Sequence, residues 1–187
     1  MDSLIICVDC DDVLCNLQDT VIKIFNDRNE TSYTADDFTS YNIMECINLK
    51  DALSMINIYG EPGLYDLVKP LKNSKNAIQK LKRSGHEVYV VTDSIPSIFP
   101  EKVNWINMHL GIDNEHIISM KHKWLFKCDV MIEDNMDNLL GGYHYDRICF
   151  DYPWNRHVCD EAYGIHRVQN WNEALDIINK INKSGMV

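Results

Sequence analysis

Asp9, Asp11 and Asp12 fall within four positions at the end of the apolar run Leu4–Cys10. Carboxylates so close repel one another, and the cluster costs stability unless a cation sits among them. Asp9 lies inside the apolar run, where an idle charge is expensive. Asp12 reads equally well as a turn or helix-capping residue. Further along the chain, Thr92, Asp93 and Ser94 close a second apolar run, and Lys123 stands ten residues before the acidic pair Glu133-Asp134. Taken singly, Thr92 is an ordinary strand residue and Lys123 an ordinary surface lysine, with Lys121 and Lys127 competing for its place. Together, carboxylates from separated segments, a hydroxyl and a lysine describe phosphoryl chemistry on a hard divalent cation, Mg²⁺ being the natural choice. Lys123 and the Thr92 hydroxyl would hold phosphate oxygens. One carboxylate would be free to attack phosphorus, and a second could exchange a proton with the leaving oxygen.

These groups need a scaffold that gathers strand ends. Short apolar runs without alternation occur at Leu4–Cys10, Glu87–Thr92, His116–Ser119, Asp129–Ile132 and Arg147–Phe150, as in strands of a parallel sheet covered on both faces. Helical stripes lie between them: Ala77, Ile78 and Leu81 before Gly85, then Val103, Ile106 and Leu110 before Gly111. A last stripe, Trp171, Ala174, Leu175, Ile178 and Ile181, follows a capping pair Asn170/Glu173. Alternation of this kind predicts an α/β fold, a Rossmann-like parallel sheet flanked by helices, with ligands bound beyond the carboxyl ends of the strands. Roughly 75 residues separate the first run from the second, far more than a crossover needs. Residues 16–70 therefore read as a small helical cap inserted after the first strand, with the core formed by 1–15 and 71–187.

The 187 residues carry 28 acidic against 18 basic side chains, a formal charge of −10. Such a surface repels nucleic-acid backbones and anionic membranes, which argues against polymeric nucleic acid and membrane partners. No apolar run approaches a membrane span. Seven scattered cysteines, an odd number, with no signal peptide before the first run, predict reduced thiols in a cytoplasmic protein. Cys7 and Cys10 form a CxxC, but nothing completes a zinc site, and residues three apart on a strand leave from opposite faces. An EF-hand reading of DCDDVLCNLQD fails, because Val13 and Leu14 occupy the third-ligand and glycine positions.

The order DxDDVL, Thr, Lys, acidic pair resembles the haloacid dehalogenase-like phosphohydrolases, and within them the 5′(3′)-deoxyribonucleotidase family. The stretches that carry the resemblance are VDCDDVLCNL (8–17), EPGLYDLVKPL (61–71), VYVVTDS (88–94), KHKWLFKCDVMIEDN (121–135), FDYPWNRH (150–157) and RVQNW (167–171). It implies a Rossmann-like core with a cap, and Mg²⁺-dependent removal of phosphate from nucleoside monophosphates. It implies Asp9 as nucleophile, Asp11 as acid/base, and Thr92, Asp93 and Lys123 around the phosphate. Asp9, the Asp11 carbonyl and Asp134 would hold the metal, and Glu133 would stand behind them. Asp11 would have to be protonated when substrate binds, a state that Asp9 and Asp12 favour. Three positions depart from the family pattern: Asp93 replaces the usual serine, and in Glu133-Asp134-Asn135 the first and last residues depart from Asp-Asp-Arg. Leu17, Phe38, Tyr41 and Tyr65 are substrate candidates from the cap, although Phe38 reads more readily as cap interior. The implied partner is a small nucleotide, and a homodimer is compatible with the resemblance. The alternatives are a phosphatase for another small ester such as a sugar phosphate, a phosphate-accepting receiver, and a silent binding protein. The inserted cap and the residue order disfavour the receiver, and the intact set Asp9, Asp11, Thr92, Lys123 and Asp134 disfavours the binding protein.

Overall fold

A computed structural model describes residues 3–184. Along the chain run β1 (Ile5–Val8), α1 (Leu17–Asn29), α2 (Leu49–Ile58), α3 (Leu64–Leu67), α4 (Ser74–Arg83) and β2 (Glu87–Thr92). There follow α5 (Phe99–Leu110), β3 (Ile117–Ser119), β4 (Val130–Glu133), α6 (Met136–Leu140), β5 (Asp146–Phe150), α7 (Asp160–Tyr163), β6 (Ile165–Val168) and α8 (Trp171–Ser184). The strands form one all-parallel sheet in the order β3-β2-β1-β4-β5-β6. Five of them are the apolar runs of the sequence. The sixth, β6, was not among the expected strands. It reads Ile-His-Arg-Val with only its ends buried, because it lies at the sheet edge and His166 faces solvent.

Alternate residues of each strand feed opposite faces. Ile6, Val8, Val90 and Ile132 pack on α4, α5 and α8 through Ile78, Leu81, Ile106, Trp171 and Ile178. Cys7, Val91, Met131 and Cys149 pack on the other side against Met136, Leu139 and Tyr145. Cys7 and Cys10 do leave to opposite faces, and all seven cysteines are free thiols. Gly111 ends α5 in the left-handed conformation at φ 68°, which a side chain would strain. Asn170 caps α8 by accepting from the Glu173 N–H at 3.2 Å, while Glu173 accepts from the Gln169 N–H at 2.8 Å.

The segment after β1 is helical, built on α1 packed against α2. The chain leaves the core and returns to it along one narrow neck. The Asn16 N–H donates to the Lys69 carbonyl at 3.0 Å, the Leu71 N–H to the Leu14 carbonyl at 2.9 Å, and the Lys69 N–H to Asn16 Oδ1 at 2.8 Å. Among the described residues, no helix is long and apolar enough to cross a membrane.

Candidate active site

Register places the chemistry. Val8 of β1 pairs with Val90 of β2 on one side and Ile132 of β4 on the other. One residue further, the Asp9 N–H donates to the Ile132 carbonyl at 2.9 Å. Asp9 therefore emerges beside Glu133, at the point where the strand order reverses between β1 and β4 and a crevice opens. Thr92 ends the neighbouring β2 and is fully buried.

Lys123 sits in a short turn before β4, and its side chain is buried. Its Nζ lies 2.6 Å from Asp9 Oδ1 and 2.5 Å from Glu133 Oε1. Burial works to discharge this lysine, but Asp9 and Glu133 outweigh it and hold its pKa well above the ordinary value. Lys121 and Lys127 do not reach these carboxylates; Lys121 lines the cavity described below, opposite in charge to Asp93 there.

Asp9 has two unlike oxygens. Oδ1 accepts from Lys123 and, at 2.7 Å, from the Cys10 N–H, whereas Oδ2 has no donor among the described residues. Burial, and after it the charge of Glu133, push the Asp9 pKa up to about 7 against the pull of Lys123. Glu133 is fully engaged. Oε1 accepts from Lys123 and from Asn138 Nδ2 at 2.9 Å, and Oε2 from the N–H groups of Asp134 and Asn135, both at 3.1 Å. Asp134 accepts from Trp154 Nε1 at 2.9 Å through Oδ2, leaving Oδ1 open. Asn155 Nδ2 holds the Asp134 carbonyl at 2.9 Å, so the FDYPWNR stretch is a clamp on this residue. Burial, then Glu133 and Asp9, raise the Asp134 pKa well above the usual carboxylate range.

Asp9, Glu133 and Asp134 each offer an oxygen within 4.8 Å of the others. One lysine faces these three buried carboxylates, and two of them keep an uncommitted oxygen. Hard oxygen donors with excess negative charge suit a divalent cation of the Mg²⁺ type.

The Asp11 environment differs from the sequence expectation, which placed only carboxylates around it. Lys102, on α5, pairs with Asp11 Oδ2 at 2.6 Å, and the Tyr65 hydroxyl donates to Asp11 Oδ1 at 2.7 Å. Lys102 also donates to Thr92 Oγ1 at 3.0 Å and to the Asp93 carbonyl at 2.8 Å. Sequence reasoning missed Lys102. The signal was its position four residues after Ile98 and three before Trp105, which puts a cation on the apolar stripe of α5. Asp12, at φ 56°, accepts from the Gln18 N–H at 3.0 Å in the first turn of α1, as a capping side chain does although Asn16 holds the N-cap position, and it also lines the cavity described below.

A cavity of about 490 Å³ opens over these residues, walled by Asp11, Asp134 and Trp154 from the core and by Leu17, Gln18, Phe38, Tyr41 and Tyr59 from the helical segment. Phe38 shows only an edge, being 1% exposed, whereas Tyr41 is 61% exposed. Tyr65 is not in this wall; it is buried beneath Asp11, its ring edge-on to Trp105. The Asp93 side chain is exposed at the cavity rim, and its carbonyl rather than its carboxylate is what Lys102 holds.

The chain is 28% identical over 175 residues to the 5′(3′)-deoxyribonucleotidases of Bacillus subtilis and of Bacillus phage SPbeta, covering 90% of this chain and 95% of each relative. A haloacid dehalogenase-like family hydrolase from Streptococcus pneumoniae superposes with a TM-score of 0.66 at 13% identity, covering 94% of this chain and 98% of that one, and so shares the fold. The family of 5′ nucleotidase, deoxy (pyrimidine), cytosolic type C proteins matches residues 3–184, and the chain belongs to it as a phosphomonoester hydrolase.

Proposed function

We propose that the protein hydrolyses nucleoside 5′-monophosphates, deoxyribonucleotides among them, through an aspartyl-phosphate on Asp9. The observation that carries this is the asymmetry of Asp9, one oxygen tied to Lys123 and the Cys10 N–H and the other without a donor. In the first step Asp9 Oδ2 forms a bond to phosphorus, the bond to the 5′ oxygen breaks, and Asp11 gives that oxygen a proton. In the second, water bonds to phosphorus, the bond to Asp9 breaks, and Asp11 takes back a proton. Lys123 offsets the charge of the phosphoryl oxygens and the Thr92 hydroxyl orients them. Asp9, Asp134 and the Asp11 carbonyl would hold Mg²⁺, which when bound supplies charge to offset the phosphoryl group. Glu133, saturated by four donors, fixes Lys123 and the Asp134 backbone instead of binding the ion.

Residues 16–70 act as the cap that selects substrate. Leu17, Phe38 and Tyr41 present apolar and aromatic surface to the cavity, as a nucleobase requires. Phosphate release from a panel of nucleoside monophosphates and sugar phosphates, with Mg²⁺ and with EDTA, tests the reading. Strong preference for nucleotides and loss of activity in EDTA are expected. Equal or better turnover of sugar phosphates would reassign the cavity.

A further inference from the structure

Lys102 is a buried cation whose three N–H bonds are all committed, to Asp11 Oδ2 at 2.6 Å, the Asp93 carbonyl at 2.8 Å and Thr92 Oγ1 at 3.0 Å. Its side chain is 2% exposed, and no bulk water competes for it. The residue sits on the first half of α5, which also grips the returning end of the helical segment. Glu101 accepts from the Gly63 N–H at 3.0 Å, and Trp105 Nε1 donates to the Val68 carbonyl at 3.0 Å. The ammonium group thus stands on a rigid element and reaches the three groups flanking the phosphate position. A buried ammonium must find acceptors for all three of its N–H groups whatever its role. What marks this one is which acceptors it finds, the carboxylate of Asp11, the Thr92 hydroxyl and the peptide that follows it.

We infer that Lys102 is a positioning residue for proton transfer. By holding Oδ2 of Asp11, it makes Oδ1 the oxygen that gives the proton to the leaving group and recovers it from water. The Tyr65 hydroxyl, carried on the returning segment, donates to that same Oδ1 at 2.7 Å, so the cap meets the core at the oxygen that moves the proton. The inference rests on the reading of Asp11 as the acid/base.

The test separates proton donation from everything else by varying the leaving group. A nucleoside 5′ oxygen is a poor leaving group and needs its proton; p-nitrophenolate leaves without one. Lys102→Met, which keeps the length and removes the charge, is expected to lower kcat for a nucleoside 5′-monophosphate roughly 100-fold, at the lower end of general acid catalysis. With p-nitrophenyl phosphate the same variant should give a rapid first turnover close to the wild-type rate, followed by slow steady-state turnover as the aspartyl-phosphate waits for its base. Equal slowing of the first turnover on both substrates, or an unchanged kcat on the nucleotide, overturns the inference. Lys102→Gln, which retains polar contacts at the same site, is measured alongside and carries the same test if the methionine variant does not fold. Asp11→Asn is the control for the underlying reading: if it retains full activity on the nucleotide, the acid/base assignment falls independently of Lys102.

Discussion

Lys123→Met turns the charge balance of the site into a stability measurement. Lys123 lies 2.6 Å from Asp9 and 2.5 Å from Glu133, with its own side chain 3% exposed. Removing one partner of a buried ion pair costs about 3–5 kcal/mol, because the remaining charge has neither water nor a counter-ion. Here the substitution leaves Asp9 and Glu133 facing each other, with Asp134 beside them. In a domain of this size, each kcal/mol moves Tm by about 2–4 °C, so a fall of roughly 6–20 °C is expected. The pH dependence has a definite sign. The folded-state pKa of Asp9 is already pushed up to about 7, and Lys123 is the group that restrains it. Without Lys123 it rises further above the unfolded value. Such a group stabilises the fold below its unfolded pKa and loses that contribution as pH rises through the folded one. The deficit of the variant should therefore be greatest above about pH 7 and shrink toward about pH 5. Mg²⁺ should recover part of it, about 2.7 kcal/mol at a hundredfold excess over Kd. Urea unfolding across this pH range, with Mg²⁺ and with EDTA, reads all three effects. A variant within about 1 kcal/mol of wild type in EDTA at alkaline pH would refute the argument, since it falls well below the cost of orphaning a buried charge.

Asp9→Asn should abolish phosphate release while the circular dichroism spectrum is retained; normal turnover would remove the nucleophile assignment. Trp154→Phe deletes the donor to Asp134 Oδ2 and should weaken Mg²⁺ binding about 10–100-fold by calorimetric titration. Unchanged affinity would show that the indole does not orient the ligand. His86 is buried, its pKa is lowered by that burial, and its Nδ1 accepts from the Leu4 N–H at 3.2 Å. A depressed histidine pKa leaves stability untouched at high pH and erodes it as pH falls below the unfolded value of 6.5. His86→Asn, which keeps an acceptor near that N–H, should flatten stability between that pH and the acid side; an unaltered acid slope would exclude His86 as its source.

The sheet was legible because β1, β2 and β4 are buried on both faces and leave unbroken apolar runs, while β6 was missed because an edge strand carries His166 and Arg167. Lys121 and Lys127 compete with Lys123 on the sequence, and it was the family resemblance that favoured Lys123, the lysine the structure buries between Asp9 and Glu133. Lys102 escaped because a single cation in a helix carries no motif; only its place on an apolar stripe marks it. Tyr65 was read as a substrate aromatic because composition reports that a ring is present but not which way the returning chain turns it, and that turn puts its hydroxyl on Asp11. The pairing of the chain at 14–16 with 69–71 was equally invisible, since it depends on two backbone passages with over fifty residues between them.

That pairing has a consequence for how this protein could diversify. The two passages are zipped together by their own peptide groups, so the ends of the inserted segment meet at a separation set by the stalk and not by the segment's length. Closing a longer or shorter insert there would change the entropy of the chain only slowly with its size. An exchange of everything above the stalk would leave β1 and its carboxylates in register, so the wall over the cavity can be replaced without moving the sheet beneath it, provided the new segment again brings a hydroxyl to Asp11 where Tyr65 now stands.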